Sequence, residues 1–148
     1  MSIDADWEGF QEDLQQLTEA LAEFPRIAAG DVRGGVEKAL LLLQGRAAEY
    51  PPAPVGSGYR RTGTLGRLWA GATRVVELGE SGAFVQGRVG NATPYSPYVQ
   101  GPDDQAQVHK GRWQTTDQIV DAAGDEIGLI LEDAGASIVR HLAEEAEG

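Results

Sequence analysis

The chain contains no cysteine and only two histidines among its 148 residues. Without cysteine it forms neither a disulfide nor a thiolate metal site. A metal centre would have to be built from carboxylates around one histidine. The acids nearest His109 in sequence, Asp103 and Asp104, match no ligand spacing, and His141 at the end of an acidic helix reads as a surface side chain. Long apolar runs are also missing. The longest, residues 39–43, falls far short of the roughly 18 residues that read as a membrane span, so no membrane partner is expected. The first residues carry Asp4, Asp6 and Glu8 where a signal peptide carries positive charge, so the protein is expected to be cytoplasmic when made. The segment GSGYRRTGTLG (residues 56–66) is rich in glycine. It lacks the lysine of a phosphate loop and does not follow a strand, so its glycines read as loop hinges. Nothing in the pattern places a nucleophile, a base and an acid together. Neither an enzyme nor a cofactor is expected.

Bases are scarce, 12 against 23 acids, for a net charge of −11. They are unevenly placed. Residues 1–49 carry 10 acids and 4 bases, residues 50–112 carry 4 acids and 7 bases, and residues 113–148 carry 9 acids and 1 base. A strongly acidic whole argues against non-specific nucleic-acid binding as the main function. A basic middle between acidic flanks suggests self-complementary surfaces, and a solvated acidic exterior that keeps the protein soluble is the plainer alternative.

The length suits one domain, residues 1–148, with a core of its own. In residues 2–24, Ile3, Trp7, Phe10, Leu14, Leu17, Leu21 and Phe24 recur at spacings of four and three, which puts them on one helix face. Pro25 lacks an N–H and restricts Phe24, so it is expected to end or kink that helix, and a second helix follows to Glu49. Residues 1–49 thus read as a helical hairpin. Residues 50–64, with Pro51, Pro52, Pro54 and the Gly56–Gly58 pair, read as an exposed loop. Residues 65–114 read as a short helix, a β-hairpin and a second protruding loop. The short helix is capped by Thr62 or Thr64 and docks Leu65, Leu68 and Trp69 on the core. The strands are expected at 72–78 and 83–89, joined by GESG at 79–82. Residues 102–112 form the second loop, closed by Trp113. Thr115 and Gln118 have capping-box spacing, and one long helix is expected from Thr116 to Ala143, fraying from Glu144. The expected fold class is α+β, with long N- and C-terminal helices packed on a small antiparallel sheet and protruding loops.

One constellation remains. Tyr59, Arg60, Arg61, Arg67, Trp69, Tyr95 and Tyr98 mix bases with aromatics. Such a set suits a protein interface, where Tyr, Trp and Arg are enriched. It also suits a small nucleic-acid-binding or regulatory module, the alternative reading. The acidic flanks favour the protein interface.

Three quoted segments bear on the choice: YPPAPVGSGYRRTGTLGRLW (residues 50–69), VGNATPYSPYVQG (89–101), and Gln107-Val108-His109 leading to GRWQTT (111–116) before a long closing helix. In this order, over residues 36–143, they resemble the tail-completion (neck, head–tail joining) proteins of long-tailed bacteriophages. The resemblance implies a structural virion protein, made in the host cytoplasm and incorporated in the neck. It implies a homo-oligomeric ring, expected to be hexameric, that completes the tail and joins it to the head connector. Its partners would be head-completion, stopper or adaptor proteins on one side and tail-terminator or tail-tube proteins on the other. Double-stranded DNA would pass through the lumen without being held, because carboxylates repel phosphates. The residues expected at partner or subunit interfaces are Tyr59, Arg60, Arg61, Arg67, Tyr95, Tyr98, Gln100, His109 and Arg112. Those expected to anchor the loops are Leu65, Leu68, Trp69 and Trp113.

Overall fold

A computed structural model describes residues 7–58, 61–78 and 85–148, with the side chains of 7–11, 13, 14, 16–25 and 27 left aside. The side chains of the apolar heptad stripe of residues 2–24, the 79–82 connection, Tyr59 and Arg60 lie outside what is described. Those that are described form an α+β fold of five helices and one antiparallel strand pair. In chain order these are α1 (Trp7–Ala48), α2 (Thr64–Ala70), β1 (Val75–Leu78), β2 (Val85–Arg88), α3 (Ser96–Gln100), α4 (Thr116–Ala122) and α5 (Gly124–Glu147).

The helical hairpin expected in residues 1–49 is not formed. α1 is a single helix of 42 residues that continues through Pro25. An interior proline removes one backbone donor and costs about 3 kcal/mol, but it leaves φ in the helical range. A reversal of the chain would need residues that leave helical geometry, and the strong helix formers on both sides of Pro25 supply none.

α5 lies antiparallel along α1. Arg46 meets Glu126 at 2.5 Å near one end. In the middle, a Cβ on Gly35 would come within 2.9 Å of Ala134 Cβ, so the two helices cross where one side chain is absent and the other is a methyl. At the far end Asp31 accepts hydrogen bonds from Ser137 Oγ at 3.0 Å and His141 Nδ1 at 2.8 Å. The expected unbroken helix from Thr116 is divided. α4 ends at Ala122, and Ala123, buried with φ −88° and ψ −2°, turns the chain before α5 starts at Gly124. Glycine is a weak helix residue and gives least resistance to such a break. The capping box at α4 forms as the spacing suggests: Gln118 N donates to Thr115 Oγ1 at 3.3 Å and Thr115 N to Gln118 Oε1 at 3.0 Å. α5 then runs on to Glu147, beyond the expected fraying point.

The strands are shorter than the alternation suggests, with Val75 opposite Arg88 and Leu78 opposite Val85. β2 rests on α1 at Gly87, where a Cβ would lie 2.5 Å from Val36 Cγ1.

The core gathers at the C-terminal end of α1: Ala47, Leu65, Trp69, Val99, Trp113 and Ile119, with Leu43, Ala48, Tyr50 and Val89 around them. Two buried amides organise it. Gln44 Nε2 lies within hydrogen-bond distance of the carbonyls of Trp69, Ala70 and Ala72 around the C-terminal end of α2, while its Oε1 accepts from Arg74. Gln100 Oε1 accepts from Trp69 Nε1 at 2.8 Å, and its Nε2 donates to Ala47 O at 3.2 Å.

Candidate functional site

α2 is where the proline loop is fixed to the core. Leu65 and Trp69, four residues apart, share its buried face. Leu68, roughly a quarter-turn away, is 44% exposed and, contrary to expectation, is not buried with them. Of the two expected threonine caps, Thr62 Oγ1 accepts from Thr64 N at 3.4 Å, but Thr62 does not occupy the N-cap position. The N-cap is Gly63 at φ 72°, a left-handed conformation that glycine adopts without strain. The first-turn donor of Gly66 is instead bonded by the Tyr50 hydroxyl at 2.9 Å. A Cβ on Gly66 would stand 2.8 Å from the Tyr50 ring, so the glycine is what admits this long-range cap.

Tyr50 packs edge-on against Trp113 with ring centroids 5.1 Å apart. The Arg61 guanidinium lies over both rings, 5.3 Å and 5.7 Å from their centroids. It also donates to the carbonyls of Pro51 and Pro52. Arg61 therefore ties the start of the proline loop to the aromatic floor.

The second loop does not protrude. Ala106 N donates to Tyr98 O at 2.7 Å, and Gln105 Nε2 donates to Val99 O and Trp113 O at 2.8 and 2.9 Å. These bonds fold residues 102–113 back over α3. The preceding turn is held by Asn91, whose Nδ2 donates to Leu65 O at 3.0 Å while its Oδ1 accepts from Thr93 N at 2.9 Å.

Between the two loops lies an open cleft of about 390 Å³. Its floor is Tyr50, Leu65, Val99 and Trp113. One wall is Ala53, Pro54, Ser57 and Arg61, and the other Val108, His109 and Arg112. Tyr95 and Tyr98 stand at its edge. Both tyrosines are substantially exposed, as is Val108. The His109 ring faces Trp113 edge-on at 6.5 Å, and its buried Nδ1 has no partner among the described residues. Among the described residues no carboxylate lines the cleft.

The cleft thus brings together Arg61, Tyr95, Tyr98, His109, Arg112, Leu65 and Trp113 from the sequence-derived set. Arg67 stands apart on the exposed face of α2, donating to Thr64 Oγ1 at 3.3 Å. Gln100, expected at an interface, is 3% exposed and spends both ends of its amide on Trp69 and Ala47, so it is a core strut. Tyr50, Gln44, Asn91 and Gln105 carry much of the architecture and were not singled out. Of these only Asn91, in a Gly-Asn turn, has a local signal.

The Ser137, Asp31 and His141 grouping is not arranged for nucleophilic attack. A catalytic serine hands its proton to an imidazole, whereas here the hydroxyl and the imidazole both bond to the carboxylate. Burial tends to raise the Asp31 pKa. The hydrogen bonds from His141 and Ser137, with the charges of His141 and Arg140, outweigh it and hold the carboxyl below its ordinary value. Among the described residues no group of three or more His, Asp or Glu side chains could hold a metal ion, and no helix is long and apolar enough to cross a membrane. No family model, curated protein or solved structure matches the chain.

Proposed function

We propose that the protein is a structural subunit of the neck of a long-tailed bacteriophage, forming a ring that completes the tail and joins it to the head connector. The observation that carries this reading is convergence. The three segments on which the resemblance rests are separate stretches of the sequence, and together they supply the floor, both walls and the edge of one cleft. A surface with tyrosines at its edge, arginines in its walls and an apolar base suits protein docking. The acidic helices supply carboxylates that would let DNA slide past without being held.

The test is electron microscopy of the purified protein, alone and mixed with tailless heads or unjoined tails, alongside a DNA-binding titration against salt. Rings, or particles decorated at the connector or tail end, are the expected result. Undecorated particles together with tight, salt-sensitive DNA binding would replace the neck reading with the nucleic-acid module.

A further inference from the structure

The cleft is opposite in charge to most of the protein. Arg61, His109 and Arg112 stand in its walls without a carboxylate among the lining residues, in a chain with 23 acids and 12 bases. The Arg112 side chain is exposed and makes no hydrogen bond or ion pair among the described residues. Tyr98 is 58% exposed and Val108 64%. An apolar, aromatic centre with cations in its walls is complementary to an acidic segment that also offers apolar side chains.

This chain contains such a segment. The last turns of α5 present Glu144, Glu145 and Glu147 to solvent, and Val139 on the same helix is 68% exposed. None of these glutamates forms an ion pair among the described residues. The segment is held far from its own chain's cleft. The Asp31–His141 contact places the end of α5 beside the middle of α1, while the cleft lies past Ala48 at that helix's C-terminal end. The helix between Asp31 and Ala48 rises roughly 25 Å.

We infer that the cleft of one subunit receives the acidic C-terminal end of α5 from a second copy. The contact joins two unlike and well-separated surfaces of the molecule. Repeated head to tail, it closes into a ring or runs on as a filament. The inference rests on the ring proposed above and adds which surfaces build it. Arg112 and the glutamates set the register, while Tyr98 and Val108 cover the apolar side of the incoming helix.

Two full-length variants test it: Arg112→Glu, and Glu144→Lys combined with Glu145→Lys. All three positions are exposed, and circular dichroism checks that each variant is folded. Association is followed by sedimentation velocity over a series of protein and salt concentrations. The wild-type protein is expected to associate less as salt rises, and each variant alone to associate on the order of tenfold more weakly or worse. An equimolar mixture of the two variants is expected to recover, because the reversed cleft meets the reversed helix end and the native cleft meets the native one. A wild-type protein that stays monomeric, variants that associate normally, or a mixture that fails to recover would each overturn the inference. Decoration of phage particles, read on the same samples, separates the two readings. Variants that decorate as the wild type does remove this interface and leave the neck role standing. Charge-dependent association without decoration by any sample keeps the interface and removes the neck role.

Discussion

Trp69 donates its indole hydrogen to Gln100 Oε1, 2.8 Å away in the core, and Gln100 passes the connection to Ala47 O through its own amide. One side chain thus links α2, α3 and the end of α1, the three elements beneath the cleft. Replacing Gln100 with alanine would strand the Trp69 N–H and open a void. A buried donor without a partner costs about 1–3 kcal/mol. Gln100→Ala is expected to lower unfolding stability by about 2–4 kcal/mol in a urea titration once the lost packing is added. A loss below about 0.5 kcal/mol would mean that the bond contributes little.

Arg61 and Arg112 line the same cleft but are expected to differ in effect. Arg61 lies over Tyr50 and Trp113 and holds two proline carbonyls. Arg61→Ala should therefore release the proline loop. The measurement is limited proteolysis, with faster cleavage within residues 52–58 and a global loss of about 1–2 kcal/mol from two cation–π contacts. Arg112→Ala removes an exposed side chain without a described partner and should change stability by less than about 0.5 kcal/mol. Equal proteolysis of the two variants would refute the clamp. The contrast also makes Arg112 the cleaner position for testing an interface.

The contact of Asp31 with His141 and Ser137 gives an acid-dependent stability. Its carboxyl titrates below the ordinary value of 3.8 in the folded protein. A group with a lowered folded pKa contributes stability that is present above its unfolded pKa and lost as the pH falls through the folded one. The stability difference between the wild type and Asp31→Asn should therefore shrink as the pH falls below about pH 4. Thermal unfolding from pH 3 to pH 7 measures it. A difference that instead disappears between pH 5 and pH 7 would mean that Asp31 is not the titrating partner.

What could be read in the sequence was local. Thr115 and Gln118 announce their capping box by spacing alone, and Leu65 and Trp69 announce a buried face by standing four residues apart. The failures have one physical origin. Pro25 looks like a break because the one hydrogen bond it removes is visible locally, while the helix formers that carry α1 past it act collectively. Tyr50 caps α2 from 16 residues away, and Gln44 reaches carbonyls 25 to 28 residues away. Neither has a spacing rule. Gln100 was grouped with its exposed neighbours Tyr95 and Tyr98 because it shares their segment. On a helix of five residues, the side chain after Val99 turns inward with it. The cleft itself is tertiary: its two walls are separate loops, brought together by the Tyr50–Trp113 contact and by Arg61 lying over both rings.

Gly87 supplies the last prediction, because it has a built-in control. A Cβ there would lie 2.5 Å from Val36 Cγ1 and 2.9 Å from Leu40 Cδ1. Leu40 is buried, and Val36 is β-branched with little rotamer freedom on a helix, so neither can swing aside without moving α1 or β2. Overpacking of this kind costs about 1–3 kcal/mol. Gly90, two residues after the end of β2, has nothing within 4 Å of the equivalent position. The same added methyl there meets no atom, and the smaller backbone entropy of alanine in the unfolded chain acts in its favour. Gly87→Ala is therefore expected to lose about 1–3 kcal/mol in denaturant unfolding, and Gly90→Ala to stay within about 0.5 kcal/mol of the wild type. If the two substitutions prove equally harmless, β2 does not rest on α1 at this glycine, and the sheet sits further from the helix than the contact requires.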